Sequence, residues 1–362
     1  MRRLLQGQEG QVSEPDRHLV AEGRVAMREI ARKLGVSTST VSRAFSRPEM
    51  VRPELRERIL KMAKELDYKP NPIARAMVRG QSDLIGLVVP DITNPFFPAI
   101  VRGVEDEARK HGLNLIVCNS DGHVAKEKQY LHSLHDLTVA GVILASASRR
   151  DAYVAELAAG IPVVVMDRRL SGSLVSQVNA DNYGGSKAVV DHLAGLGHRK
   201  LLYLSGPPRI STTEDRLRGF RDQCRLHNID FDIVRAGFRI EDGYEAMKQA
   251  ESMMDGTTGV VCANDLCAFG ALARLAELGI PVPERISVTG FDDIAFARIL
   301  RPSLTTVRQP AYEMGQLAVR AILDMRAGHE SRHQVVLPTE LVVRDSTALR
   351  NTSVEHSSAT AS

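Results

Sequence analysis

The segment from Thr38 to Arg43 combines short hydroxyl side chains with one arginine. Arginine can donate two parallel hydrogen bonds to a guanine, and serine and threonine can bond several base edges or phosphate oxygens. On a helix that buries Val41, the side chains of Thr38, Ser39, Ser42 and Arg43 face outward. These residue types suit a helix that lies in the major groove of DNA.

The flanking residues predict a helix-turn-helix around this segment. Ile30, Ala31 and Leu34 recur with helical spacing and indicate a first helix. Gly35 then provides a turn that a residue with a Cβ atom would resist. Ser37 is a suitable N-cap for the second helix, because its hydroxyl oxygen can accept a hydrogen bond from a free backbone N–H.

A third helix and a local excess of positive charge support DNA binding. The third helix is predicted from Pro53 to Leu66, with proline in its first turn. Residues 24–79 contain 14 Lys and Arg against 6 Asp and Glu, a net charge of +8, whereas the whole chain carries only +3. The remainder therefore sums to −5. A positive charge confined to the head is what binding to phosphates requires.

A short helix is predicted after the head, in residues 72–79. Asn71 can cap it and Gly80 can end it. Helices shorter than ~12 residues are marginal in water, so we expect this one to order only on DNA. Ala74 and Met77 are apolar where a linker is usually polar, and an apolar side chain can wedge into the minor groove. The alternative is a linker helix packed on the body.

The rest of the chain alternates apolar, strand-like runs with amphipathic helical segments. This alternation predicts a doubly wound α/β fold, and the length and 43% hydrophobic content suffice for more than one core. Strands are predicted at 84–90, 113–118, 141–145, 162–166, 200–204, 259–262 and 286–289. Helices are predicted at 99–111, 186–196, 216–227 and 266–278.

Polar residues follow several of the predicted strands. In open α/β sheets ligands bind beyond the carboxyl ends of strands, and carboxylates and amides there can hold neighbouring hydroxyl groups of a sugar. Asn264 also precedes a helix, so capping is an alternative role for it. The strand-end candidates are Asp91, Asn94, Asp167, Asn264, Asp265, Asp292 and Asp293, of which Asp265 and Asp293 are assigned to capping or structure.

Motifs typical of enzymes are missing from the sequence. There is no Gly-x-Gly-x-x-Gly turn for a dinucleotide, and Gly184-Gly-Ser-Lys187 lacks the upstream glycine of a phosphate loop. His132 and His135 share a helical face but have no obvious third metal ligand, so a solvated helix face is the better interpretation. We therefore predict a protein that is not an enzyme and needs no cofactor.

The two ends of the chain differ from its middle in composition. Residues 1–24 and 348–362 show little apolar periodicity and are predicted to be disordered tails. The first residues lack the apolar stretch of a signal peptide. The four cysteines are scattered, which is typical of reduced thiols. We expect a cytoplasmic protein that makes no membrane contact.

Several signatures in the same order make the chain resemble the lactose-repressor (LacI/GalR) family. The resemblance covers residues 27–347. It implies a small all-α helix-turn-helix head plus hinge helix, joined to an α/β two-lobed domain like a periplasmic binding protein. The signatures are Ile30-Ala-Arg-Lys-Leu-Gly-Val-Ser37, Thr40-Val-Ser-Arg43, Tyr68-Lys-Pro-Asn71, Ala74-Arg75, Ile85-Gly-Leu-Val-Val-Pro-Asp91, Asn94-Pro-Phe-Phe97, Ala263-Asn-Asp265 and Gly290-Phe-Asp-Asp293.

The resemblance also implies roles for individual residues. Thr38, Ser39 and Arg43 fall on base-reading positions of the recognition helix. Hinge positions that enter the minor groove are Asn71, Ala74 and Met77, where the family usually has leucine in place of Met77. Arg216, Asn264 and Asp292 fall on positions that hold the effector. Phe96, Phe97 and Phe238 fall on positions that offer apolar faces to it.

Together these features predict a homodimeric transcriptional repressor that binds operator DNA under the control of a small effector, expected to be a sugar or sugar acid. The head is expected at 25–69, the hinge helix at 70–81, and the effector domain at 82–347, with passages between its lobes near 181, 309 and 328. One alternative keeps this architecture but places it under a purine-like corepressor or a protein partner. Another is a solute-binding protein without a DNA role.

Overall fold

The chain forms two compact units, a head within residues 1–83 and a body that begins at Leu84. A computed structural model describes residues 27–68, 82–145, 160–170, 175–329 and 334–350, together with residues 154 and 158. The predicted hinge residues Asn71, Ala74 and Met77, the tail 1–24 and residues 351–362 lie outside the described residues. The prediction that the disordered tail begins at residue 348 is wrong, because the Ala348 N–H donates to Ser287 Oγ at 3.1 Å and the Arg350 N–H donates to the Leu196 carbonyl at 2.8 Å.

Three helices build the head around one small core. Helix α1 covers residues 27–34, α2 Thr38–Ser46 and α3 Pro53–Glu65, with a 3₁₀ turn at Pro48–Met50. The turn between α1 and α2 contains Gly35 at φ +65°, a conformation that glycine adopts without strain. The Ser37 hydroxyl caps α2 by accepting a hydrogen bond from the Thr40 backbone N–H at 3.1 Å. The head is thus the predicted helix-turn-helix. Its buried apolar residues are Ile30, Ala31, Val41, Ala44, Val51, Ile59 and Ala63.

The first lobe of the body is a six-stranded parallel sheet with helices on both faces. Its strands are β1 Leu84–Val89, β2 Asn114–Asn119, β3 Gly141–Leu144, β4 Val163–Met166, β5 Ser176–Ala180 and β11 Gln334–Leu337. They lie in the order β11-β5-β4-β3-β1-β2. Its described helices include α4 Phe96–Lys110, α5 Val124–Asp136 and α10 Ala311–Arg326.

The second lobe has a four-stranded parallel sheet in the order β7-β6-β8-β9 and a two-stranded antiparallel ribbon. Its sheet strands are β6 Lys200–Ser205, β7 Asp230–Arg235, β8 Gly259–Cys262 and β9 Ser287–Thr289, and its ribbon strands are β10 Thr306–Arg308 and β12 Glu340–Val342. Its helices are α6 Asn182–Gly195, α7 Ser211–Leu226, α8 Ile240–Gln249 and α9 Asp265–Glu277, with 3₁₀ turns at Glu251–Met253 and Ala295–Arg298. The α/β fold with parallel sheets is therefore as predicted.

The chain passes between the lobes at three places. It leaves the first sheet after β5, where Asp181 caps α6, and it returns after β10 at Gln309 to form α10. The expectation of a third passage near residue 328 is wrong, because β11 follows α10 and still pairs with β5 in the first lobe. The third passage lies instead between Leu337 and Glu340, because the next strand, β12, pairs with β10 of the second lobe.

Candidate functional site

A cavity with about 270 Å³ of empty space lies between the two lobes. All seven residues that the sequence proposed for effector binding line it. The sequence reasoning missed Arg168 and Thr212 as site residues, and it treated Asn94 only as a strand-end candidate. The lining residues are Asn94, Phe96, Phe97, Asp167, Arg168, Thr212, Arg216, Phe238, Asn264 and Asp292.

Strand ends and helix starts bring these side chains together. Asp167 directly follows β4, whereas Asn264 stands two residues after the end of β8 and Asp292 three residues after the end of β9. Arg216 stands in the second turn of α7, and Phe96 is the first residue of α4. Because the carboxyl ends of parallel strands share one edge of a sheet, each lobe presents its polar groups to the space between them.

Arg216 is held rigidly at the second-lobe wall of the cavity. It is buried, its Nε donates to Asn182 Oδ1 at 2.7 Å, and its Nη1 donates to the Ala263 carbonyl at 2.6 Å. Its guanidinium group stacks on the Phe291 ring, 3.7 Å from the ring centroid. These contacts fix the side chain, so its remaining N–H groups point in a set direction for an incoming acceptor.

Asp292 lies beside Arg216 and is buried as well. Its Oδ1 is 3.6 Å from Arg216 Nη2 and accepts a hydrogen bond from Gln309 Nε2 at 2.7 Å. Burial raises the pKa of the Asp292 carboxyl to about 7, against the lowering effect of Arg216. A carboxyl group with this pKa can accept or donate a hydrogen bond near neutral pH.

The first-lobe wall of the cavity presents a second acidic side chain and a second arginine. Asp167 and Arg168 are buried, and Arg168 Nη1 lies 3.7 Å from Asp167 Oδ2. Burial raises the pKa of the Asp167 carboxyl, although the two nearby arginines oppose this shift. Nη1 of Arg168 donates to Thr212 Oγ1 at 2.6 Å, whereas its Nε is buried without a hydrogen-bond partner within the described ranges. An unpaired buried donor at a cavity wall is suited to bind a ligand acceptor.

Three phenylalanines supply the apolar surface of the cavity. Phe96 and Phe97 are buried and meet edge to face, with ring centroids 5.2 Å apart. Phe238 is half-buried and lies 5.7 Å from the Arg168 guanidinium carbon. A Cβ atom at Gly206 would come within 2.6 Å of the Phe238 ring, so glycine at this position permits the close approach.

Asn264 lines the cavity and also caps a helix, as its alternative role predicted. Its Oδ1 accepts a hydrogen bond from the Cys267 backbone N–H at 2.9 Å, and its Nδ2 donates to the Phe238 carbonyl at 3.0 Å. One amide hydrogen therefore remains for a ligand. The next residue, Asp265, does not line the cavity and accepts hydrogen bonds from Thr306 and from the Ile294 backbone.

In the head, the residues proposed to read bases lie on the exposed side of α2. Thr38, Ser39 and Arg43 are exposed, while Val41 and Ala44 on the opposite side are buried. The Ser39 hydroxyl is 2.7 Å from the Ser37 hydroxyl, so part of its hydrogen-bonding capacity is used within the protein.

Two further features bear on other classes of function. Within the part of the chain that the structure describes, no group of three or more His, Cys, Asp or Glu side chains could hold a metal ion, and His132 and His135 are exposed on α5. None of the described helices is both long and apolar enough to cross a bilayer.

Comparison with known proteins finds a family match in each of the two units of the chain. Residues 26–71 match the family "Bacterial regulatory proteins, lacI family", and residues 190–347 match the family "Periplasmic binding protein-like domain". The ribose operon repressor of Halalkalibacterium halodurans is 32% identical over 89% of this chain and 96% of its own length. That of Bacillus subtilis is 36% identical over 82% of this chain and 90% of its own length.

Solved structures agree with the sequence relatives. The lac repressor dimer bound to operator and the anti-inducer ONPF is 27% identical, with a TM-score of 0.77 over 88% of this chain and 98% of that chain. A LacI family transcriptional regulator from Enterococcus faecium with bound ribose is 32% identical, with a TM-score of 0.67 over 74% of this chain and 100% of that chain. On the strength of its head, its body and these full-length relatives, the chain belongs to the lacI family of bacterial regulatory proteins.

Proposed function

We propose that this repressor binds a neutral sugar of pentose size, of which ribose is the first to test, in the cavity between its lobes. The single observation that carries the proposal is the balance of charge in the cavity: two carboxyl groups, Asp167 and Asp292, face two guanidinium groups, Arg168 and Arg216. The proposed contacts further include Asn94, Phe96, Phe97, Thr212, Phe238 and Asn264.

A ring of hydroxyl groups satisfies such a set of side chains. Each hydroxyl can donate to a carboxylate and accept from a guanidinium group, so charged donors and acceptors both find partners. The phenylalanine rings can pack against the C–H face of the sugar.

Other ligand classes fit this cavity less well. A sugar acid would bring its carboxylate close to Asp167 and Asp292, where each of these carboxyl groups that is ionised would repel it. A purine would leave most of the four charged groups without hydroxyl partners, so the purine-like corepressor is not favoured. Relatives named for the ribose operon and a relative solved with bound ribose support the sugar.

For DNA binding we propose that Thr38, Ser39 and Arg43 contact base edges in the major groove. In a homodimer, two heads would read half-sites ~34 Å apart on a near-palindromic operator. We retain the boundaries 25–69 for the head, 70–81 for the hinge helix and 82–347 for the effector domain. Asn71, Ala74 and Met77 would then enter the minor groove at the centre of the operator. Operator binding places the protein with the chromosome in the cytoplasm.

Two observations support the dimer. The solved lac repressor that this chain resembles is a dimer. On the second lobe, the side chains of Phe296 and Ile299 are 53% and 61% exposed, and large apolar side chains close together on a surface suit an interface between subunits. Ligand-induced coupling between the cavity and operator binding is expected to amount to ~1–3 kcal/mol per site.

The test is titration calorimetry of the full-length protein with D-ribose, D-xylose, D-gluconate and hypoxanthine. We expect saturable binding of a pentose, with ribose first, and no binding of gluconate or hypoxanthine. The same ligands are then added to an operator mobility-shift assay, where only a bound ligand changes the operator affinity. Binding of gluconate or hypoxanthine in preference to both pentoses would contradict the proposal.

A further inference from the structure

A tight turn after β4 lines the cavity between the lobes, which is called the effector cavity below, and also takes part in a direct contact between the lobes. This turn, residues 167–170, is called the cavity turn below. Asp167 begins it with φ +58°, a left-handed conformation that is uncommon for a residue other than glycine. Asp167 and Arg168 line the cavity, whereas Arg169 does not. The turn therefore has one side at the ligand site and one side away from it.

Three hydrogen bonds connect the cavity turn to the beginning of α7 in the other lobe. Arg168 Nη1 donates to Thr212 Oγ1 at 2.6 Å, and the Arg169 backbone N–H donates to Ser211 Oγ at 2.7 Å. The third bond is an ion pair, from Arg169 Nη2 to Asp215 Oδ1 at 2.8 Å. A strained turn needs such external contacts to persist.

Asp215 is the charged partner among the three α7 residues that bond the cavity turn. Its carboxylate is 15% exposed and pairs with two guanidinium groups, that of Arg169 and, at 2.9 Å, that of Arg218 on the same helix. Asp215 does not line the effector cavity, but the next residue, Arg216, does. Thus Arg168 and Arg216 face the cavity, while their chain neighbours Arg169 and Asp215 bind one another beside it.

The same residues form the wall of a second cavity. About 520 Å³ of empty space adjoins the effector cavity, with which it shares the lining residues Asp167 and Thr212. Arg169, Asp215 and Arg218 also line this second space. Residues of the cavity turn therefore line both cavities, and release of the turn from α7 is expected to change the shape of both.

We infer that Asp215 is a positioning residue of the effector site, which holds Asp167 and Arg168 against the ligand by fixing Arg169. The identity of the ligand rests on the function proposed above, whereas the role of Asp215 in fixing the turn does not depend on it. A loss of Asp215 is expected to speed ligand release. The arrangement in which the cavity turn is bonded to α7 becomes less populated, and the apparent dissociation constant rises accordingly.

The variant Asp215→Asn removes the charge and keeps the shape of the side chain. We expect its D-ribose dissociation constant to rise about two- to five-fold, the range for a partly exposed ion pair. The effect is limited because Arg239 and Asp91 form another ion pair between the lobes, at 3.4 Å. Asp215→Glu keeps the charge and is expected to restore most of the affinity. Operator binding without ribose should be unchanged.

Asp222→Asn is the matched control. Asp222 is on the same helix and its carboxylate bonds Tyr183 and Arg225, which belong to the same lobe. An independent measurement, hydrogen–deuterium exchange of the Arg169 backbone amide without ligand, reports the turn directly. We expect this exchange to accelerate in Asp215→Asn and to stay as in wild type in Asp222→Asn and Asp215→Glu.

The two measurements separate the two proposals. Faster amide exchange in Asp215→Asn alone, with neither D-ribose nor D-xylose binding even to wild type, would uphold the positioning role and refute the pentose. Unchanged exchange in Asp215→Asn would overturn the positioning role whatever the ligand. Equal loss of ribose affinity in Asp215→Asn and Asp222→Asn would also overturn it, because the effect would then come from helix charge in general.

Discussion

Gln309 Nε2 donates a hydrogen bond of 2.7 Å to Asp292 Oδ1. Asp292 lines the effector cavity, and Gln309 is in the segment where the chain returns from the second lobe to the first. The backbones of the two segments are joined as well, by the bond from the Asp292 N–H to the Val307 carbonyl at 2.8 Å. A proposed ligand contact and a connection between the lobes therefore share one hydrogen-bond network.

Replacement of Gln309 by leucine is expected to weaken ribose binding by about 1–3 kcal/mol, since a buried carboxyl group loses its hydrogen-bond donor. Titration calorimetry with D-ribose measures this change. Gln316→Leu is the control, because Gln316 is half-buried on α10 and does not line the cavity. Unchanged affinity in Gln309→Leu would show that the bond to Asp292 does not serve ligand binding.

The stability of the protein should depend on pH through Asp292. Its pKa in the folded state is raised to about 7 by burial, above the ~3.9 of an unfolded aspartate. The stability that its protonation contributes is present below pH ~4 and is lost as the pH rises through about 7. In Asp292→Asn this loss is absent, so the free energy of unfolding of wild type should fall relative to the variant by on the order of 2–4 kcal/mol from pH 4 to 8.

Urea unfolding of both proteins at a series of pH values measures this difference. Asp222→Asn provides the baseline for loss of an exposed carboxylate. Asp292→Asn should also lose ribose binding, because it cannot accept hydrogen bonds as a carboxylate does. A pH-independent difference between wild type and Asp292→Asn would refute the assignment.

Arg216→Lys should remove the effector response without removing operator binding. Lysine keeps the positive charge but cannot bond Asn182, Ala263 and a ligand at once, and it does not stack on Phe291 as a guanidinium group does. We expect at least tenfold weaker ribose binding, roughly 1.4 kcal/mol. A mobility-shift titration of operator with and without ribose tests it, and a variant that responds like wild type would place the effector elsewhere.

Arg43→Ala should lower affinity for the specific operator by about 1–3 kcal/mol and affect random DNA less. Arg58 on α3 is exposed in the same head and does not belong to the recognition helix, so Arg58→Ala controls for loss of one positive charge. Both are measured by fluorescence anisotropy at one salt concentration. Equal losses on operator and random DNA would mean that Arg43 contacts only phosphate.

The sequence was most informative where apolar strands end in polar residues. Asp167, Asn264 and Asp292 could be proposed because each follows an apolar run, and the structure brings them into one cavity. Strand β5 could not be found this way, because it contains Ser176 and Gln177, which are buried. Gln177 is tolerated there because its amide group bonds both the N–H and the carbonyl of Leu170, a contact that no local pattern reveals.

Site residues that come together only where the two lobes meet could not be predicted from the sequence either. Thr212 lies at the start of α7 and carries no motif, and it joins the site only because Arg168 reaches it from the other lobe. Arg168 could have been proposed as the neighbour of Asp167. The third passage between lobes was misplaced because β11 and β12 are short and are separated by two residues only.

The order of β11 in the first sheet has a consequence for biosynthesis. This strand, Gln334–Leu337, completes the sheet beside β5, although the segment from α6 to β10, which forms most of the second lobe, lies between the two strands in the chain. On the ribosome, the first lobe cannot acquire its edge strand until almost the entire polypeptide has emerged, so the usual domain-by-domain order of folding during synthesis does not apply. A nascent chain arrested near residue 300 would therefore present an incomplete sheet to chaperones and proteases.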